Sequence, residues 1–217
     1  MASSSSRREL ANVGPLQQIT GGRFVRRFAQ LIVGLYLFGA SMAFVISAGL
    51  GMIPWDVLHS GIISHIPISF GTIVVLLSLV VLLAWIPLRQ KPGLGTILNA
   101  LLVGPAVDVT LPWVPHFSAL GWNILLLVAG VVLNGFAGAL YIGSQFGPGP
   151  RDGLMTGLSR VTGRSIRLVR TCIEVVVVLL GWLLGGVVGV GTVLYAATIG
   201  PITQWFLARF TVTLRDR

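Results

Sequence analysis

Charge and cysteine are what this sequence has least of. Of its 217 residues only 10% are Asp, Glu, Lys or Arg, and just six of these are acidic. A soluble domain of this length needs about a quarter of its residues charged to clothe its surface, so a soluble fold is excluded. Cys172 is the sole cysteine, which rules out an internal disulfide and a cysteine-built metal site. His59, His65 and His116 stand at spacings that suit no metal, and no cluster of carboxylates accompanies them. The Gly-rich segment GPGPRDG (147–153) lacks the Gly-Lys-Ser/Thr ending of a nucleotide loop. No Ser, His and acid fall at a spacing that makes a nucleophile and its base. The expectation is a protein without enzymatic activity, metal or cofactor.

What is present is apolar sequence in long runs. Hydrophobic residues make up 54% of the chain and the mean hydropathy is +0.90. At roughly 20 residues per helical crossing, this reads as a multi-pass, all-α membrane protein. Six spans are expected, over about 28–49, 69–88, 94–113, 121–143, 166–187 and 190–210. Residues 1–22 are polar and basic and read as a disordered tail. The first apolar run is long enough to span and shows no cleavage site, so it reads as retained.

The 15 basic residues set the orientation. Six spans place every Lys and Arg on one side, and connections 50–68, 112–120 and 186–190 carry none. The positive-inside rule then puts both termini in the cytoplasm of a cell-membrane protein. The net charge of +9 follows from that asymmetry and from attraction to anionic headgroups, and it does not point to nucleic acid.

One piece of punctuation is spelled twice. LGMIPWDVL (50–58) and FGPGPRDGL (146–154) share Gly, Pro, Asp and Leu at the same spacing, 96 residues apart. Shifting the chain by 96 aligns 31–111 with 127–207 at 24 identities in 81 positions, where composition alone gives roughly a tenth. The matches include Gly34/Gly130, Gly39/Gly135, Gly51/Gly147, Pro54/Pro150, Asp56/Asp152, Gly95/Gly191, Thr96/Thr192 and Pro105/Pro201. These positions shape the backbone or carry charge, and chance similarity between apolar segments would not concentrate there. Each copy (23–120 and 121–217) holds three spans, so the second enters the membrane from the opposite side. The expected fold is therefore two inverted-topology three-helix repeats, as in secondary transporters.

Within each repeat the Pro-x-Asp segment reads as a short interfacial or re-entrant helix, with Pro at its first position and Asp in its first turn. Asp56 and Asp152 either cap these helices or also face a solute or ion path. Gly104-Pro105 and Gly200-Pro201 fall mid-span and read as helix breaks, the sequence pointer to a central site, or else as close packing with a kink. Thr96, Thr192 and Asn99 join the candidate path, as do two carboxylates inside spans, Asp108 and Glu174. Glu174 needs a partner, either Arg170 four residues before it or a residue of another helix. On the inner side Arg151, Arg160, Arg164 and Arg167 are candidates for contact with an anionic group, either a lipid headgroup or a solute.

The segments PWDVLHSG, IPLRQKPGLGTILNALLVG, GPGPRDGLMTGLSRVTGRSIRLVRTCIE and GWLLGGVVGVGTVLYAATIGP resemble the bacterial integral membrane proteins of the YczE type, within the wider YczE/YyaS/YitT group. The resemblance covers about residues 28–207 and implies fold and location more than activity. The functional expectation is a transporter or exporter of a small solute with a site between the repeats. The alternative is a non-transporting accessory that scaffolds a biosynthetic or signalling partner through its Arg-rich inner loop. Membrane lipids are expected partners, and a homodimer joined through faces such as Gly34/Gly39 is a further expectation.

Overall fold

Helix starts are written into the sequence, and the structure obeys them. A computed structural model describes residue 18 and residues 21–214; the tail expected over 1–22 lies almost wholly outside these. Among the described residues there are eight α-helices and no strand: α1 (Phe24–Ala48), α2 (Pro54–Ile63), α3 (Phe70–Trp85), α4 (Leu94–Thr110), α5 (Leu120–Gly143), α6 (Pro150–Thr162), α7 (Ile166–Leu183) and α8 (Val190–Phe210). Pro54 and Pro150 open α2 and α6, where a missing N–H costs nothing. Ser69 and Ser165, again 96 apart, cap α3 and α7 by accepting from the N–H of Thr72 at 3.1 Å and Leu168 at 3.3 Å. Thr96 and Thr192, in the first turns of α4 and α8, accept from the N–H of Gly93 and Gly189 at 3.1 and 3.2 Å.

Three stretches are long and apolar enough to cross a membrane by themselves: Phe24–Ala48, Leu94–Trp113 and Leu120–Gly143. Helix α3 is apolar but has only 16 residues, about 24 Å of rise. Helix α7 has 18 residues and carries Arg167, Arg170 and Glu174. The outward surface is apolar, with Val80, Leu83, Val109, Leu125, Val176, Leu180 and Val193 exposed, while Ser41, Asp56, His59, Thr96 and Asn134 are buried. Water would not tolerate that distribution and a lipid phase does.

Two expectations about small residues are corrected here. Helices α4 and α8 run unbroken through Pro105 and Pro201, because each proline removes one ladder hydrogen bond while the turns on both sides keep theirs. Gly104-Pro105 and Gly200-Pro201 are thus inside helices and do not end them. Nor are the small residues of α1 left for a second copy. A Cβ at Gly34 would sit 2.7 Å from the backbone nitrogen of Tyr141, and one at Gly39 2.6 Å from Cβ of Ala106. Those faces are spent on α5 and α4.

Helix α1 packs along α5 as the central pair, with α4 against α1 and α8 against α5. Short helix α2 packs on α7 of the other half, and α6 packs on α3. The exchange is reciprocal down to single bonds. Gly95 donates its N–H to the carbonyl of Phe146 at 2.8 Å, and Gly191 donates to Leu50 at 2.8 Å. Gly51 and Gly147 both adopt φ near +110° (+112 and +111), a region only glycine enters freely. Each lies against the glycine that opens the other half's last helix, Gly51 on Gly189 and Gly147 on Gly93.

Candidate functional site

This cross-packing brings the first turns of α2 and α6 to one place. Between them lies a cavity of about 90 Å³, and it is walled by matched positions of the two copies. Ile53 and Gly149, Pro54 and Pro150, Trp55 and Arg151, Val74 and Arg170, Ser78 and Glu174, and Asn99 and Tyr195 all line it. Each couple is 96 residues apart. Tyr141 and Asp152 complete its polar side.

The charged groups form three linked sets. Asp152 accepts from the Tyr141 hydroxyl at 2.6 Å. Arg170 donates to Glu174 at 2.8 Å across one helical turn. Asp56 and His59 are both fully buried in α2, with Nδ1 of His59 3.0 Å from one Asp56 oxygen. The other Asp56 oxygen has no partner. The far side of the imidazole, Nε2, lies 3.5 Å from the Arg151 guanidinium, and the ring edge packs on Phe70 of α3. Arg151 also stacks over the Trp55 ring at 4.9 Å. Two carboxylates, Asp152 and Glu174, thus meet two guanidinium groups on one small cavity, with Asp56 behind its wall. Tyr195 donates to Asn134 at 2.8 Å, and the Asn134 amide donates to Ser41 at 2.8 Å, tying α8, α5 and α1 behind the wall.

Of the residues singled out from the sequence, Asn99, Arg151, Asp152 and Glu174 line the cavity. Asp56 is one residue behind it. Thr96 and Thr192 serve the ends of α4 and α8; Thr96 also donates to the Pro148 carbonyl at 2.7 Å, joining the halves. Asp108 lies elsewhere. Its two oxygens accept from the Gly71 N–H at 2.7 Å and the Ser69 hydroxyl at 2.6 Å, so it caps α3. Gly104 packs on Gly71, while a Cβ at Gly200 would meet nothing within 4 Å. The four inner arginines do not gather. Arg151 turns into the cavity, Arg160 donates to the Leu88 carbonyl at 2.6 Å, and Arg164 and Arg167 stay exposed.

Sequence reasoning missed Tyr141, Tyr195 and His59 as site residues. The chain has only three tyrosines, Tyr36, Tyr141 and Tyr195, all in apolar spans; a buried hydroxyl there must find a partner, and it is Tyr141 and Tyr195 that turn inward. It also missed Arg27, taken for an orientation charge. Arg27 is fully buried and donates to the carbonyls of Ser144 at 2.8 Å and Gln145 at 2.9 Å, just past the end of α5.

Relatives place the chain among proteins named for their location or not described at all. It is 40% identical over 177 residues to an "Uncharacterized protein" of Haemophilus influenzae, covering 82% of this chain and 81% of that one. It is 31% identical over 186 residues to the "Uncharacterized membrane protein YczE" of Bacillus subtilis, covering 85% of each. It is 27% identical over 179 residues to the "Uncharacterized protein YyaS" of the same organism, covering 81% of this chain and 89% of that one. No solved structure matches it. Residues 25–208 match the family model described as "Family of unknown function (DUF6198)", and the chain belongs to that family.

Proposed function

We propose that this membrane protein carries a small solute across the cytoplasmic membrane through the cavity between its two halves. It would cross six times as two inverted three-helix repeats, with both termini in the cytoplasm. Helices α2 and α6 would enter from opposite faces without spanning. The observation that carries the reading is that six couples of repeat-related residues meet on one cavity that holds charged groups. In inverted-repeat transporters the site lies where the repeats face each other, and short helices aim their N-termini at it. Ionisable groups kept inside an apolar bundle mark pathways for the same energetic reason. Exposed Arg164 and Arg167 would contact anionic headgroups.

Two measurements test this. In a Cys172→Ser background, Ile66→Cys and Arg164→Cys should label from opposite faces of sealed vesicles; labelling from a common face ends the inverted arrangement. In proteoliposomes, Asp152→Asn or Glu174→Gln should abolish counterflow of the solute mixture extracted from cells, with insertion unchanged. Flux equal to wild type in both variants would remove the cavity from the transport path and favour the accessory reading.

A further inference from the structure

We propose that the cavity recognises its solute through a carboxylate group, held by Arg151 and the Trp55 indole N–H between the N-termini of α2 and α6. The inference rests on the reading above for the site's place but not on transport, because binding alone tests it.

Unpartnered groups on the cavity wall say what is missing. Trp55 is 7% exposed, lines the cavity, and its Nε1–H has no acceptor. A buried indole N–H nearly always finds one. Arg151 has five N–H donors in a fixed fork, yet its contacts are one 3.5 Å approach to His59 and the stacking on Trp55. The carboxylates nearest it are engaged with other groups, Asp56 with His59 and Asp152 with Tyr141. Arg170 differs: Glu174 already neutralises it. The wall thus presents free donors on Arg151 and Trp55. The Asp56 oxygen without a partner belongs to a residue outside the cavity lining.

The backbone adds the same sign. Helices α2 and α6, of 10 and 13 residues, both begin on the cavity at Pro54 and Pro150. Each N-terminus contributes about half a positive charge, added to a lining in which two carboxylates already face two guanidinium groups. A fork-shaped donor beside two helix N-termini suits a planar, two-oxygen anion. The volume limits the size. About 90 Å³ is the room of roughly three waters, so the solute has few heavy atoms beyond its carboxylate.

The experiment is calorimetric binding to the full chain in phosphatidylethanolamine/phosphatidylglycerol nanodiscs, with propionate, alanine, propionamide and methylammonium as probes. Propionate or alanine should bind, with propionamide at least tenfold weaker. A preference between the two acids tells whether the solute is a simple acid or also carries an ammonium group, and either result supports the inference. Arg151→Gln should weaken acid binding tenfold or more. Trp55→Phe keeps the ring under the guanidinium, removes only the N–H, and should weaken it several-fold; it stands as the readout if Arg151→Gln does not fold. Binding of methylammonium with no acid bound, propionamide equal to propionate, no probe bound at all, or acid affinity unchanged in Trp55→Phe would each overturn the inference. Acid binding without flux would sink the transport reading alone.

Discussion

Arg27 separates two explanations of the same residue. As an orientation charge it needs only to be positive, and lysine would serve as well. As built, its side chain is fully buried with no carboxylate of the described residues beside it, and its guanidinium holds two carbonyls beyond α5 and lies 4.3 Å over the Phe146 ring. A charge-assisted hydrogen bond contributes about 1.5–3 kcal/mol and leaves a buried carbonyl stranded when removed. The stacking adds about 0.5–1 kcal/mol. Against this, Arg27→Met no longer buries a charge, which returns part of the gain. The net expectation is a loss of about 2–4 kcal/mol. Arg27→Lys reaches at most one of the two carbonyls and should lose about half of that. At about 2–4 °C per kcal/mol for a chain of this size, Arg27→Met should melt about 4–16 °C lower. Thermal unfolding in detergent, followed by near-UV circular dichroism, gives the shift. A C-terminal reporter fusion gives the orientation, which Arg23 and Arg26 should preserve. If both variants melt within 1 °C of wild type, Arg27 is only an orientation charge and the capping argument is wrong.

The remaining predictions concern backbone contacts that the two halves exchange. Gly51→Ala and Gly147→Ala should each cost about 1–3 kcal/mol for the left-handed backbone alone. Gly51→Ala should be the worse, since its Cβ would lie 2.6 Å from the Gly189 nitrogen, against 3.1 Å from Thr96 Oγ1 at Gly147; melting temperatures rank them. Gly153→Ala drives a methyl into the Trp85 ring, which is buried and anchored by its 2.9 Å bond to the Pro150 carbonyl. A drop of about 2 kcal/mol or more is expected, whereas Gly121→Ala, with nothing within 4 Å, should be neutral or slightly stabilising. Asp108→Ala should destabilise by about 1–2 kcal/mol through the lost cap on α3 while probe binding at the cavity stays unchanged; a binding defect without a melting shift would return Asp108 to the solute path.

Periodicity and punctuation carried the helices. Expected spans such as 94–113 and 190–210 fall on α4 with its terminal turn and on α8, because apolar runs, Pro at a first turn and Ser or Thr caps are local signals. What was hidden depends on which face of a helix meets which neighbour. Arg27 looks like Arg23 and Arg26 in composition, yet it sits four and seven residues before Leu31 and Gly34, on the face that α1 buries. Asp108 follows Gly104 by one turn, on the side where α4 touches Gly71 of α3, so its carboxylate meets a helix start and not the cavity. Asp56 and Asp152 match in sequence but part company in place. Only Asp152 lines the cavity, because Arg151 and Trp55, one residue ahead of each, fill the shared wall differently.

That difference is general, and it divides the repeat into frame and lining. Where the halves hold each other, they remain identical: Gly51/Gly147 in backbone angle, Gly95/Gly191 in their 2.8 Å bonds, Thr96/Thr192 in their caps. Where they face the cavity they diverge, and the second copy supplies the charge: Arg151 for Trp55, Arg170 for Val74, Glu174 for Ser78. The flanks diverge in step. Gly71 against Gly104 seals α3 to α4, with Asp108 bonded across the seam. The matching positions are Arg167, Gly200 and Gln204, and there α7 and α8 barely touch. Folding needs only that the frame repeat, since each short helix packs on the other half's second long helix whichever copy it belongs to. A cavity lined symmetrically would set like groups against each other across its axis, two guanidinium groups or two carboxylates in a low dielectric. Unlike residues at matched positions let a duplicated frame enclose opposite charges that satisfy one another, and leave Arg151 and Trp55 with donors to spare.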